Sequence, residues 1–374
     1  MRRALILIFF SSLIVCGASA QSAERDSTLI RKVSKVVRNT GRSVRRHFRE
    51  ANATDESYIA PNTHDFTVML ENSSWFEHCR LRGKTGRPGS GDYQQIGFAP
   101  RPSFKLGLYF GWKWIFLGYS VDVGDLGSRR HNKVKKTDIQ FSLYTSQVGL
   151  DLYYRKTGNN FRIRSVGGFD LPHSVRSSCL KPFDGLRSCL KGFNAYYIFN
   201  HHKFSYPAIY SQSTRQLKSA GSVMAGLSYS RQKFSFDYSR LPLPLRGKLC
   251  DAMKLSMVRY SDYNVSLGYG YNWALKHNWA LNASLLPAIG YKKSKVYAGD
   301  WELSSQTSRW VDDIDFDLVT RFGIVWNNDK TYFGVNFVSH TYDYSKERFS
   351  LTDTFASLKV YVGFNFWKRS KYRE

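Results

Sequence analysis

Eight side chains carry most of the chemistry open to this sequence: Lys105, Asp151, Arg155, Asp237, Asp315, Asp317, Arg321 and Lys359. Each falls on the polar phase of a segment whose alternate positions are apolar, so all eight are expected to face one lumen. Mixed signs in a lumen either form a polar conduit for a small charged solute or pair with one another and fill the space. Asp315 and Asp317 with Arg321 could bind such a solute, although mutual pairing is the blander outcome.

Catalytic constellations are weaker. A serine nucleophile needs a histidine and an orienting group in contact. The sequence contains no Gly-x-Ser-x-Gly elbow, and no serine stands out beside a histidine at the expected outer rim. His201 and His202 fall in a predicted short turn, where histidines are ordinarily solvated, and adjacent turn residues rarely converge on one zinc ion. Cys16 lies in the N-terminal segment, leaving Cys79, Cys179, Cys189 and Cys250. Their spacing resembles no metal cluster. Cys179 and Cys189 lie in one loop-like stretch and are expected to form a disulfide. No metal and no cofactor is expected.

The elements that must position these groups alternate with a period of two. Tyr263, Val265, Leu267, Tyr269, Tyr271 and Trp273 are separated by Asn264, Ser266, Gly268, Gly270 and Asn272. Ile314, Phe316, Leu318, Thr320, Phe322, Ile324 and Trp326 behave likewise, as do Phe104 to Phe110, Val148 to Tyr154, Phe234 to Tyr238 and Val360 to Phe366. One apolar face and one polar or glycine face is the pattern of strands between lipid and a wet lumen. Short turns and longer connections alternate along the chain, as they do when one rim carries tight turns and the other carries outer loops. The longer connections include 80–102, 124–136, 156–192, 211–218 and 241–261. Strands exposed to hydrocarbon cannot leave edge N–H and C=O groups unpaired, so closure is required. The reading is therefore all-β, a closed antiparallel transmembrane β-barrel of about fourteen strands (12–14) over residues 61–374. This count takes 193–199 and 203–210 as a hairpin and places a turn at Ser230 to Gln232.

Residues 1–20 read as a cleavable signal peptide. Arg2 and Arg3 precede an apolar run, and Ala18-Ser19-Ala20 supplies small residues at the cleavage site. Within 21–60, a short basic amphipathic helix over 24–49 precedes the barrel, followed by a polar hinge from Asn52 to Pro61. Such a helix lies on an anionic membrane surface, docks on a barrel mouth, or spans the periplasm as a linker.

The formal charge of +26 would ordinarily suggest nucleic acid. An export signal removes that partner, leaving outer-membrane lipid and lipopolysaccharide phosphate as better matches. Arg80, Arg82, Lys84, Arg129 and Arg130 are candidate lipopolysaccharide contacts, with Arg87, Lys133, Lys135 and Lys136 nearby. The aromatic content of 16% suits rings displayed to lipid and gathered at the interfaces. Terminal aromatics in Leu358 to Trp367 are of the kind that the barrel-assembly machinery engages.

Several blocks also resemble a known family. Phe110 to Tyr119, Val148 to Gly158, Tyr197 to Tyr206 and Gln216 to Ser222 look like the Bacteroidetes outer-membrane family termed domain of unknown function 4421. The similarity covers residues 58–367. It implies an outer-membrane or cell-envelope location in a gut-type anaerobe and brings no activity. Three functions follow: a channel or structural envelope protein, a receptor or adhesin acting through loops 156–192 and 241–261, and an envelope-lipid enzyme at the outer rim.

Overall fold

The computed structural model describes residues 54–372 apart from 87–92, 113–114, 124–136, 159, 299–300, 304–313 and 347–348. The expected signal peptide and amphipathic helix, and the cations Arg87, Arg129, Arg130, Lys133, Lys135 and Lys136, lie outside the described residues.

In chain order the first strands are β1 (Ile59–Pro61), β2 (His64–Lys84), β3 (Tyr93–Pro100), β4 (Ser103–Trp112), β5 (Ile115–Asp122) and β6 (Thr137–Tyr144). Next come β7 (Val148–Thr157), β8 (Phe161–Gly167), β9 (Pro182–Phe183), β10 (Leu186–Ile198), β11 (Thr214–Gln216) and β12 (Ala220–Phe236). The last are β13 (Met257–Ala274), β14 (Trp279–Ala298), β15 (Trp301–Leu303), β16 (Ile314–Asn327), β17 (Thr331–Lys346) and β18 (Phe349–Lys368).

Twelve of these form one antiparallel wall, in the order β5-β4-β2-β18-β17-β16-β14-β13-β12-β10-β7-β6. The wall is curled, because strands far apart in this order touch. Arg321 on β16 reaches Asp151 on β7 at 2.7 Å. The Thr157 hydroxyl on β7 donates to Glu77 on β2 at 2.7 Å.

Two of the fourteen expected strands are not in the wall. Residues 203–210 form no strand; they fold inward around a single-turn helix, Pro207–Tyr210. Proline at the start of that turn has no N–H to give a ladder, and its fixed φ suits the first helical position. Nor does the chain turn at Ser230 to Gln232, since β12 runs straight through. Ser230 and Gln232 are polar because they point into the wall's interior, where both are buried. The expected hinge also ends differently, for Ile59–Pro61 pairs with Thr214–Gln216 as a small sheet.

Several strands are far longer than a bilayer needs. A tilted strand crosses in about 9–11 residues, whereas β2 has 21, β14 has 20 and β18 has 20. The surplus lies towards the long-loop rim, where the inward positions change from polar to apolar. Below, apolar side chains are outward: Leu227, Val265, Ile289 and Phe316 are all exposed. Above, Cys79 and Leu81 on β2, Phe234 and Phe236 on β12, and Val258 and Tyr260 on β13 are buried inside. Arg80, Arg82, Lys233 and Arg259 between them face out. The upper third of the wall thus has an apolar interior and a charged exterior, like a water-soluble protein. Phe234-Phe236-Tyr238 accordingly runs in the opposite phase to that expected, with Phe234 and Phe236 inward.

Candidate functional site

The interior of the wall is filled in three layers. At the short-turn rim, residues 199–219 form a plug against β1. Ile59, Phe204, Tyr206 and Ile209 are fully or almost fully buried there. Wall side chains hold the plug by its own polar atoms. Asn272 donates to the Ser205 carbonyl and to Gln216, both at 2.9 Å. The Tyr210 hydroxyl donates to Asn282 at 2.7 Å, and Asn327 donates to Gln212 at 3.0 Å. The Ile209 carbonyl accepts from the Tyr361 hydroxyl at 3.0 Å.

The middle layer holds the charges. Asp151 accepts from Arg321 at 2.7 Å, from the Ser142 hydroxyl at 2.7 Å and from the Tyr144 hydroxyl at 3.1 Å. Arg321 also lies over the Tyr196 ring, 5.2 Å from its centroid. That ring occupies the space above Gly149, where a Cβ would fall 2.0 Å from the ring, so only glycine fits. Lys292 sits between Asp262 at 3.6 Å and Asp317 at 3.5 Å, and also donates to the Asp343 carbonyl. Asn264 bridges the two carboxylates, donating to Asp317 at 2.8 Å and to Asp262 at 3.1 Å. Gln232 donates to Asp353 and accepts from Tyr260. Buried charges persist only when paired and hydrogen-bonded in this way.

At the long-loop rim, β3, β8 and β9 extend the sheet from the upper half of β2. Their side chains join those of β10, β12, β13, β18 and the 237–256 connection in one apolar cluster. Phe98 is its centre, fully buried, with ring centroids 5.2 Å from Phe183 and 5.9 Å from Phe236.

The proposed lumen residues separate on this frame. Lys105, Asp151, Arg155, Asp317, Arg321 and Lys359 point inward on their strands. Lys359 pairs with Glu71 at 3.4 Å, and Arg155 lies over the Trp75 and Phe355 rings at 5.6 and 5.5 Å. Asp315 belongs to β16, but its side chain is outside the described ones. The suggested solute set is not assembled: Asp317 serves Lys292, and Arg321 serves Asp151. Four residues of strand hold Asp317 and Arg321 about 13 Å apart along the chain direction.

Asp237 is not a lumen residue. It caps a turn in the long-loop cluster, accepting from the Ser239 hydroxyl at 2.6 Å and from Arg240 at 3.0 Å. The Ser239 hydroxyl, with Arg240 behind it, holds this carboxyl below the usual range. It left the wall because β12 ends at Phe236.

The expected Cys179–Cys189 disulfide is also absent. Cys79, Cys179, Cys189 and Cys250 are all free thiols. Cys179 is buried in the long-loop cluster, whereas Cys189 lies on the outward phase of β10, so the two do not meet. Thiol titration of the unfolded chain without reductant is expected to find all four reactive. A value lower by two would mean a bridge.

Sequence reasoning passed over Asp262, Lys292, Glu77, Asp353 and Gln232. Their signal was cross-strand register: Asp262 stands opposite Lys292 in the β13–β14 ladder. Among the candidate lipid contacts, Arg80, Arg82 and Lys84 are exposed on the outer face of β2, and Arg82 stacks on Tyr93 at 3.8 Å. Among the described residues no group of three or more His, Cys, Asp or Glu side chains could hold a metal ion. No helix among them is long and apolar enough to cross a membrane, which says nothing of a β-barrel.

No curated protein matches the sequence. Among solved structures the chain is similar to the outer-membrane protease OmpT of Escherichia coli, at 8% identity and TM-score 0.36, covering 82% of this chain and 98% of that one. It is also similar to the translocator domain of the autotransporter NalP of Neisseria meningitidis, at 8% identity and TM-score 0.29, covering 81% and 88%. The outer-membrane protein OprG of Pseudomonas aeruginosa matches at 10% identity and TM-score 0.24, covering 82% and 98%. The family model described as domain of unknown function DUF4421 matches residues 53–366, and the chain belongs to that family.

Proposed function

We propose that this protein is an outer-membrane β-barrel with a closed, filled lumen, an envelope protein that works by occupying the membrane and presenting its long-loop end. Closure joins β5 to β6, the two edges left over from the wall order. The Thr157–Glu77 hydrogen bond supports it, because it ties β7 to β2 across that gap. On β13, Tyr263 to Trp273 are outward over ten residues, which spans about 25 Å at the usual strand rise and tilt, the height of a barrel's lipid band. The long-loop rim faces outside the cell, and the short turns with both ends of the described chain face the periplasm.

The single observation behind a filled lumen is the buried Asp151–Arg321 pair between two apolar seals. A porin needs wet charges lining its channel. Here the pair at mid-height is dry, 2% exposed for Arg321 and 3% for Asp151. The protein is accordingly a structural or surface-presenting barrel rather than a diffusion pore.

Two measurements test this. Unheated protein in detergent gels should migrate faster than boiled protein, as folded barrels do. In planar bilayers the inserted protein should give no steady conductance. A stable open-channel current in proportion to voltage would overturn the filled-lumen reading while leaving the barrel intact.

A further inference from the structure

The long-loop cap carries more positive charge than its own carboxylates can meet. Its connections 158–185 and 237–256 hold eight lysines and arginines against four aspartates. Three of those aspartates are taken up by two cations. Arg240 donates to Asp184 at 2.7 Å and to Asp237 at 3.0 Å, and Lys254 donates to Asp251 at 2.7 Å. Arg162, Arg164, Arg176, Lys181, Arg246 and Lys248 remain against Asp170, and all six but the half-buried Arg162 are exposed. Backbone carbonyls hold three of them in place. Arg246 donates to that of Ser239 at 3.0 Å, Lys248 to that of Asp170 at 2.9 Å and Arg176 to that of Leu171 at 3.4 Å. A carbonyl fixes a cation without cancelling its charge. The other connections do not reverse the sign, since 87–92, 124–136, 299–313 and 347–348 contain eight lysines and arginines against seven acids.

The same segment lines a cavity of about 330 Å³, whose walls include Asp184, Arg187, Ser235, Asp237, Tyr238 and Arg240. Backbone contact sets its shape. The Asp237 N–H donates to the Gly185 carbonyl at 2.8 Å, and a Cβ on Gly185 would lie 2.7 Å from the Asp237 carbonyl oxygen. This close approach brings the two carboxylates together around Arg240. The volume is at the small end of ligand sites, which run from roughly 300 to 1,000 Å³. Carboxylates accept from hydroxyl groups and guanidiniums donate to them, so the mixed lining suits a ring that carries several hydroxyls. Tyr238 adds an aromatic wall. Two carboxylates in the cavity disfavour a polymer with a phosphate on every unit, because like charges placed together are costly. A polymer whose acidic groups are separated by hydroxyl-bearing rings satisfies both the cavity and the surrounding cations.

Resting on the orientation proposed above, we infer that the cap is a binding site for an acidic polysaccharide outside the cell, a chain of sugar rings carrying carboxylates at intervals. One ring enters the cavity, where its hydroxyls meet Asp184, Asp237, Arg187 and Arg240. Carboxylates elsewhere along the chain meet the uncancelled cations of the two connections through charge-assisted hydrogen bonds. The cations supply attraction and the cavity supplies selectivity.

The test uses the full-length chain refolded in detergent, at about 0.15 M salt so that loose surface attraction is screened. Its probes are hyaluronate, dextran as an uncharged polysaccharide, and double-stranded DNA as a polyanion with a phosphate on every unit. Wild-type protein should bind hyaluronate most tightly, with dextran weaker by roughly tenfold or more. The variant Arg176→Gln/Lys181→Gln/Arg246→Gln/Lys248→Gln should lose a similar factor. Asp184→Ala tells selectivity from plain attraction. It removes an exposed negative charge, so an unselective cationic surface would hold hyaluronate more tightly. A cavity that uses this carboxylate should instead bind roughly tenfold less. Equal affinity for dextran, equal or tighter binding of DNA, an unaffected glutamine variant, or no loss in Asp184→Ala would each overturn the site. Should the glutamine variant fail to fold, the three-polymer comparison on wild type and Asp184→Ala decide. Insertion into phosphatidylcholine vesicles, scored by flotation, separates the two readings. A chain that floats without preferring hyaluronate loses only this site, and one that does not float loses the membrane reading.

Discussion

Arg321→Met should destabilise the barrel by about 3–5 kcal/mol, because it strands the Asp151 carboxylate in a dry interior. Ser142 and Tyr144 would still donate to that carboxylate, but neither carries a charge to replace the guanidinium. Loss of Arg321 also removes the cation lying over the Tyr196 ring. Chemical denaturation of vesicle-inserted protein reads the effect as a lower midpoint. The double variant Asp151→Asn/Arg321→Met should recover most of the loss, since a buried ion pair replaced by neutral groups of similar volume is often close to neutral. If Arg321→Met unfolds within about 1 kcal/mol of wild type, water reaches the pair, as around exposed ion pairs of that worth. The filled-lumen reading would then fail.

A second large effect belongs to the long-loop end. Phe98→Ala should cost about 3–5 kcal/mol there, as truncation of a fully buried phenylalanine does. The loss is local, because the cluster around Phe98 lies above the lipid-facing part of the wall and is held by its own packing. Stability is not uniform across a structure, so this cap can open while the barrel stays folded. Limited proteolysis in the native state should show cleavage of the 158–185 and 237–256 connections accelerated roughly a hundredfold or more, by the usual tenfold per 1.4 kcal/mol. Heat-modifiable migration should be unchanged. Leu243→Ala, at a position 72% exposed on the same cap, should stay within about 0.5 kcal/mol. Equal protease resistance in Phe98→Ala and wild type would mean that the apolar cluster does not seal the mouth.

The two variants probe different physics. The ion pair lies at mid-height, where nothing but protein can solvate a charge. The cap is an ordinary hydrophobic core raised clear of the membrane. Together with the 199–219 plug they stand in series along the lumen, Tyr196 joining the plug to the ion pair and Tyr260 joining the middle layer to the cap. A conducting variant would therefore need more than one of them removed.

Alternation was enough to read the lipid-facing stretches. In β13 and β16 the outward side chains are those the period of two selects, because an apolar surrounding and a polar interior impose opposite demands on successive residues. The same rule misread Phe234 to Tyr238. It assumes that apolar always means lipid, and above the membrane the solvent outside is water. Local pattern cannot say at which residue a strand leaves the bilayer. A turn was expected at Ser230 to Gln232; both residues are polar because they face the interior, where Gln232 meets Asp353 and Tyr260. Residues 203–210 looked like a strand by spacing, but their N–H groups bond within the plug, and the Ser205 and Ile209 carbonyls accept from wall side chains far away in sequence. The two errors removed one strand each and so preserved the parity of the rims.

By itself, then, the sequence determined that the fold is antiparallel β, the phase of its apolar-outward strands and the inward placing of Asp151, Arg155, Asp317, Arg321 and Lys359. Which charge meets which was settled only by curling the wall, since Asp151 and Arg321 are 170 positions apart. The filling of the lumen and the fate of the thiols likewise depend on register between strands. Register is a property of the assembled sheet: each residue's facing is local, but its neighbour across the ladder is chosen by every strand that lies between.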